Sequence, residues 1–412
     1  RGRGRRGMSR AGRGTRIAGA LGLTLVLGWL VLGLVLEGLI NRIEPVPLPS
    51  VSEAARRLHA ASFVADLHAD SLLFGRDLLA RGRQGHVDEP RLREGGVALQ
   101  VFSLPTIVPL GVNIERNEAG SLDLLTLAGL ARRSPTAWQG PFDRARHRAA
   151  DLDGYVERSG GALRSIRTRD DLARLVADRR NATPRAPDGP GAAGPEAARP
   201  VPIGALLAIE GAHAMESDPA NLARLFDAGY RMIGLAHFFD NDYAGSAHGV
   251  AKGGLTALGR RTIREMESLG VVVDLAHLSP AAIDDVLAIV TKPVVSSHGG
   301  VRGTCDNQRN LSDDQIRRIA ATGGVVGIGY WATAVCGTRP EDVALAIAYV
   351  VRLVGAEHAA LGSDYDGATT VGFDTSALPA LTQALLDAGL DGDEVGQVLG
   401  GNVLRVLDRT LP

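Results

Sequence analysis

Apolar residues along this chain gather into short, nearly unbroken runs and do not alternate with polar ones. The runs occupy 63–70 (FVADLHAD), 97–104 (VALQVFSL), 203–211 (IGALLAIEG), 230–237 (YRMIGLAH), 271–277 (VVVDLAH), 293–298 (PVVSSH), 324–330 (GVVGIGY) and 358–366 (HAALGSDYD). Runs of this length, bounded by glycine, proline and polar residues, predict strands buried on both faces, as in parallel sheets. Stretches with helical spacing fall near 53–61, 117–133, 141–158, 218–228, 254–269, 280–290, 312–322 and 340–355. Ser279-Pro280 is a helix start signal. Eight strands alternating with helices predict an α/β fold, and the count favours a closed (β/α)8 TIM barrel over an open sheet. No internal repeat is visible.

One apolar run is different. Residues 17–36 (IAGALGLTLVLGWLVLGLVL) carry no charge, and residues 1–16 hold seven Arg and no acid. Twenty apolar residues at helical rise span a hydrocarbon core of ~30 Å. The arginines should stay on the cytoplasmic side, which puts the remainder in the periplasm or outside the cell. A cleaved signal peptide is the alternative, but the run exceeds a usual signal core of ~7–15 residues and no small-x-small site follows it. The expected organisation is a basic tail (1–16), a transmembrane signal anchor (17–40), a Pro-rich linker (41–52) and a catalytic barrel (53–412). Within the barrel, 181–202 (NATPRAPDGPGAAGPEAARPVP) reads as an inserted flexible loop.

Formal net charge is −1, so a basic N-terminus implies a mildly acidic remainder. That remainder offers no electrostatic footprint for nucleic acid. Cys305 and Cys336 are the only cysteines. Their spacing leaves both a bridge and two free thiols open, and no Cys-x-x-Cys pair points to a thiolate zinc site.

The strand ends carry the candidate chemistry. His68 and Asp70 sit at i and i+2 of an extended run and so share a face. Imidazole with carboxylate suits a divalent ion. Glu210 ends an uncharged run, where an unpaired carboxylate is costly. His277 and His298 close successive strand–helix units, 21 residues apart. Singly, each has a structural explanation: a capped turn, a salt bridge, a hydrogen-bonded histidine. Together they place five ligand groups at the carboxyl ends of barrel strands, where such barrels keep their active sites. One catalytic zinc takes three protein ligands and water. Five ligands suit two ions ~3.5–4 Å apart that share a carboxylate, as in two-metal hydrolases. His213 and His248 read as supporting residues at most. Asp240, Asn241 and Asp242 read as a loop-holding turn, and Asp274 as an interior residue that faces the helices or orients a neighbour.

The stretches DLHADSL (66–72), AIEGAH (208–213), GLAHFFDNDYAGSAHG (234–249), VVDLAHLS (272–279), SSHGGVRGTCDNQRNLSDDQ (296–315) and LGSDYDG (361–367) give the chain a resemblance to the membrane dipeptidases, within the metal-dependent amidohydrolase barrels. The resemblance implies two zinc ions. His68, Asp70 and Glu210 would hold one, Glu210, His277 and His298 the other, with Glu210 bridging. It implies that His237 meets the substrate carbonyl or tetrahedral intermediate and that Arg309 binds the substrate carboxylate. Asp364, with Asp366 in reserve, would receive the substrate amine or carry the proton. The expected activity is hydrolysis of dipeptides by a metal-activated water, in a membrane-tethered enzyme; dimers are common among similar proteins. The family's first motif often reads Gly-His-Asn-Asp where this chain has Leu67-His68-Ala69-Asp70, and its Leu-Thr-His is here Leu235-Ala236-His237. Other amidohydrolase substrates (N-acyl amino acids, lactams, lactones) and a catalytically inactive tethered barrel are the rival expectations, since a fold does not fix a function.

Overall fold

The computed structural model describes residues 28, 37–131, 139–181 and 200–412. Nearly all of the apolar run at 17–36 and most of the 181–202 insertion lie outside these residues. No described helix is long and apolar enough to cross a membrane.

Eight parallel strands close on themselves: β1 (Val64–Ala69), β2 (Val97–Phe102), β3 (Ile203–Glu210), β4 (Tyr230–Gly234), β5 (Val272–Asp274), β6 (Val295–Ser296), β7 (Val325–Ile328) and β8 (Ala359–Leu361). Each pairs with the next, and β8 returns to β1 with Leu361 opposite Asp66. Every residue of the eight is buried. This is why the sequence shows runs without alternation: both faces are covered, so neither selects polar residues. One apolar cluster draws on all eight strands, from Leu67, Leu99 and Leu206 to Val325 and Ala360, and includes Val403 and Leu407 of the C-terminal helix.

The helices begin where polar caps predict. Ser52, Thr256, Ser279 and Ser312 each accept a backbone N–H three residues on, satisfying a donor that the first turn leaves free. Pro280 starts the helix Pro280–Leu287. Of the expected helix at 117–133, the described part begins only at Leu124 and runs to Ala131, and 132–133 lie outside the described residues. The residues before it form a loop that Asn113 and Asn117 hold through side-chain bonds to Arg116 and His248 backbone.

Several strands are shorter than the apolar runs. The run 271–277 leaves the sheet at Asp274, and His277 lies in a turn at φ 63°. The run 358–366 is a strand only over Ala359–Leu361; Asp364 and Asp366 follow in the left-handed region. Within the expected linker, Arg42–Ile43 forms a parallel pair with Thr370–Val371. Cys305 and Cys336 form a disulfide between the loop after β6 and the turn after β7.

Candidate metal centre and substrate site

Glu210 ends β3, and its backbone N–H donates to Leu104 O at 2.9 Å. Its two carboxylate oxygens face different imidazoles. Oε1 is 2.7 Å from His277 Nε2 and 3.1 Å from His298 Nε2. Oε2 is 3.2 Å from His237 Nε2 and 4.0 Å from His68 Nε2. His68 Nε2 is also 3.5 Å from Asp70 Oδ1 and 3.9 Å from Asp364 Oδ1. All five expected ligands, with His237 and Asp364, therefore converge at one rim and are buried.

The electrostatics of this set are in conflict. Burial opposes charge on Glu210, but His237, His277 and His68 hold it well below the usual carboxylate range. Burial also disfavours charge on His68, yet Glu210, Asp70 and Asp364 raise it to about 10. Burial pushes Asp70 up to about 6 and Asp364 well above its ordinary value. His277 and His298 are held neutral, by burial first and then by Arg309 and His68 respectively. Neutral imidazoles are what a cation requires of its ligands, and His277 and His298 meet that requirement, whereas His68 would give up its proton to a bound ion.

His68 Nε2 and Asp70 Oδ1 are buried without a hydrogen-bond partner. Orphaned polar atoms of this kind are rare and cost free energy unless something satisfies them. Here two of them face each other at 3.5 Å beside the Glu210 carboxylate, and each is a first-rank zinc ligand type. His68, Asp70 and Glu210 form one group of potential ligand atoms lying within 4.8 Å of one another, and Glu210, His237 and His277 another. The donor set fits divalent cations.

Neighbouring residues orient the ligands. Asp274 Oδ1 accepts from Ser297 N at 2.9 Å, and its Oδ2 accepts the Ser297 hydroxyl at 2.5 Å. With its proton committed to Asp274, Ser297 Oγ accepts from His298 Nδ1 at 2.9 Å. This leaves the His298 Nε2 lone pair facing Glu210, the tautomer that ligation needs. Of the two roles open to Asp274, orienting a neighbour is the one adopted. Ser297 was missed from sequence; its only signal was a hydroxyl directly before the histidine in PVVSSH.

His237 Nδ1 donates to Ile107 O at 3.2 Å, which directs Nε2 toward Glu210. His248 Nδ1 donates to Ile114 O at 2.6 Å, so its Nε2 accepts from Arg309 Nη1 at 3.2 Å. Arg309 also donates to His277 Nδ1 at 2.7 Å and stands 5.5 Å from the Trp331 ring. Asp240 accepts from the backbone of Ser246, Ala251 and Lys252, the loop-holding role expected of it. His213 packs on Phe239 and is pushed down to about 3 by burial and by His237.

Asp366, the reserve carboxylate, is otherwise engaged. It accepts from Ser71 Oγ at 2.5 Å, from His86 N at 2.6 Å, and from Arg76. No oxygen of it is left for a substrate. The two aspartates look alike in SDYD, and only their three-dimensional partners separate them.

The membrane dipeptidase family model (peptidase family M19) matches residues 52–411. Dipeptidase verJ of Clonostachys rogersoniana is 36% identical over 213 residues, 50% of this chain and 55% of its own. Dipeptidase aclJ of Aspergillus oryzae is 36% identical over 215 residues, 50% of this chain and 51% of its own. The chain thus spans about half the length of the curated relatives it matches. Among solved structures, a Rhodobacter sphaeroides metallopeptidase bound to a phosphinate mimic of L-Ala-D-Ala aligns with TM-score 0.67 at 23% identity, over 85% of this chain and 99% of that one. The metallopeptidase dipeptidase AC gives 0.67 at 24%, over 85% and 99%. These two likenesses show a shared fold. The match over 52–411 carries the assignment: the chain belongs to the membrane dipeptidase family of metallopeptidases.

Proposed function

We propose that this protein is a two-zinc dipeptidase. The observation that carries the proposal is Glu210, whose two oxygens face separate imidazole sets while His68 Nε2 and Asp70 Oδ1 beside them lack partners. In this reading His68, Asp70 and Glu210 hold one ion, and Glu210, His277 and His298 the other. Bound there, the ions would supply Lewis acidity toward a carbonyl and acidify the attacking water.

The protein's own groups read the rest of a dipeptide. His237 has Nδ1–H fixed by Ile107 O and Nε2 at the rim beside Glu210, so Nε2 can donate to the scissile carbonyl or the tetrahedral intermediate once the ring takes up a second proton. Arg309 offers a guanidinium fork for the substrate carboxylate. Because Arg309 only donates, His277 Nδ1 accepts from it in this arrangement; ligation through Nε2 would put the ring proton on Nδ1 and turn the guanidinium outward. Asp364, 3.9 Å from His68, stands at the other side and suits the substrate ammonium. Recognition of both termini would confine the enzyme to short substrates. The phosphinate dipeptide mimic bound by the R. sphaeroides relative supports that class.

We also read 17–40 as a membrane anchor with the barrel on the periplasmic or outer side. The Cys305–Cys336 bridge supports an oxidising compartment. A dipeptide panel assayed on the full chain in detergent, with and without chelator, tests the activity. Chelator-sensitive cleavage of free dipeptides, with N-acetylated dipeptides refused, is the expected result. Chelator-resistant cleavage, or preference for N-acyl substrates, would defeat it.

A further inference from the structure

Asp364, Asp366 and Ala368 have φ of 58°, 63° and 59°. Three non-glycine residues in the left-handed region within five positions is unusual, and such backbone persists only where the surroundings over-determine it. The surroundings here include residues that precede the family domain. Arg42 N–H donates to Thr369 O at 3.1 Å, and Glu44 N–H donates to Val371 O at 2.8 Å. Asn41 Oδ1 accepts from Ala368 N at 2.9 Å. Thr369 Oγ1 then donates to Asp364 O at 2.9 Å. One residue therefore separates the N-terminal segment from the backbone of the proposed amine-binding carboxylate. A second tie is a buried ion-pair chain in which Arg76 joins Glu37 to Asp366. Arg76 also donates to Val87 O at 2.6 Å, so the chain is braced against the loop before β2. All of Glu37–Glu44 lies ahead of residue 52, where the family match begins.

We propose that residues 37–44 are a strap that holds the Asp364 loop in its working shape, with Asn41 and the Arg42 backbone N–H as positioning groups. The inference rests on the reading that Asp364 meets the substrate amine. The strap touches no reacting atom. It acts by holding Thr369 and Ala368, and through them the strained turn from which Asp364 projects. The segment that leads out of the apolar N-terminal run is thereby part of the machinery of the rim.

The test uses the full chain in detergent micelles, with Ala-Ala as substrate. Arg42→Pro removes the N–H that Thr369 O accepts, and Arg42→Ala keeps it. Asn41→Ala removes the acceptor of Ala368 N–H, and Asp364→Ala serves as reference. Arg42→Pro and Asn41→Ala together should lower kcat about ten- to a hundredfold, the cost of a misplacement of about 1 Å. Zinc content should stay at the parent value, Tm should fall only by the few degrees that two lost hydrogen bonds cost, and amide exchange should accelerate across 364–371 but not in the barrel strands. Arg42→Ala should keep the parent kcat. Parent-like kcat in the double variant, with Asp364→Ala impaired, would overturn the strap. A fall in kcat matched by lost zinc, or by faster amide exchange throughout the barrel strands, would overturn it too, since that is general loosening. Parent-like activity in Asp364→Ala would remove the role the strap serves, and that variant identifies this failure separately.

Discussion

Asp366 and Glu210 are both buried carboxylates on the same rim, and they solve burial in opposite ways. Asp366 is surrounded by protein donors: Ser71, His86 N–H and Arg76. Burial works against its charge, but Arg76, His86 and Ser71 outweigh that and lower its pKa. Glu210 has imidazole nitrogens around its carboxylate, with His68 and Asp70 atoms orphaned beside it. The first arrangement is complete without a ligand. The second leaves ligand atoms without partners, which is the opening a metal ion would fill. Counting partners, more than counting charges, separates a structural carboxylate from a functional one.

The largest effect should come from the incomplete site. Chelation, or Glu210→Gln, should lower dipeptide hydrolysis by on the order of 10³-fold or more, as expected when cation catalysis is lost. Zinc should restore the chelated parent but not the variant. Tm should fall on chelation, because an ion at 100 times its Kd contributes about 2.7 kcal/mol. Hydrolysis and Tm that ignore chelator would erase the contrast.

Asp366→Asn should act on stability. Breaking a buried pair costs about 3 kcal/mol, read from denaturant midpoints at neutral pH. The sign with pH follows from the lowered folded pKa. The charge stabilises the fold above the unfolded value of ~3.9, and the contribution is lost as pH falls through the folded value. The gap between parent and variant should therefore close in acid. A gap that widens in acid would mean that Asp366 is the strained carboxylate after all.

Arg309→Ala should raise KM for dipeptides roughly ten- to a hundredfold, the worth of a charge-assisted hydrogen bond, with zinc content unchanged. An unchanged KM would favour substrates without a free carboxylate. An effect of similar size, on metal affinity and not on KM, belongs to Ser297→Ala. It removes the acceptor of His298 Nδ1–H and should weaken zinc affinity by about 10- to 100-fold, as losses of ligand-orienting partners do. Chelator competition measures it.

The barrel was legible because burial on both faces writes itself into sequence as unbroken apolar runs. The five ligand candidates were legible because each ends such a run. What lay beyond reach was backbone direction. Nothing in VVVDLAH tells that the strand stops at Asp274 and that His277 swings through a left-handed turn. Nor does SDYD say which aspartate meets Arg76, since that arginine comes from a distant loop. Ser297 is a small hydroxyl in a buried strand end, and its role appears only when Asp274 of the neighbouring strand is placed beside it. The pairing of Arg42–Ile43 with Thr370–Val371 is too short to leave a pattern.

The Cys305–Cys336 bridge spans 31 positions and encloses Arg309, but none of the five ligand residues. Closing a loop of that length lowers the entropy of the unfolded chain by roughly 3–5 kcal/mol equivalents, and in the native protein it pins the Arg309 loop to the Trp331 turn. Recombinant protein made in a reducing cytosol should therefore purify with zinc in place yet bind dipeptides loosely. Such a preparation would pass every elemental analysis and still mislead an inhibitor screen aimed at the carboxylate pocket.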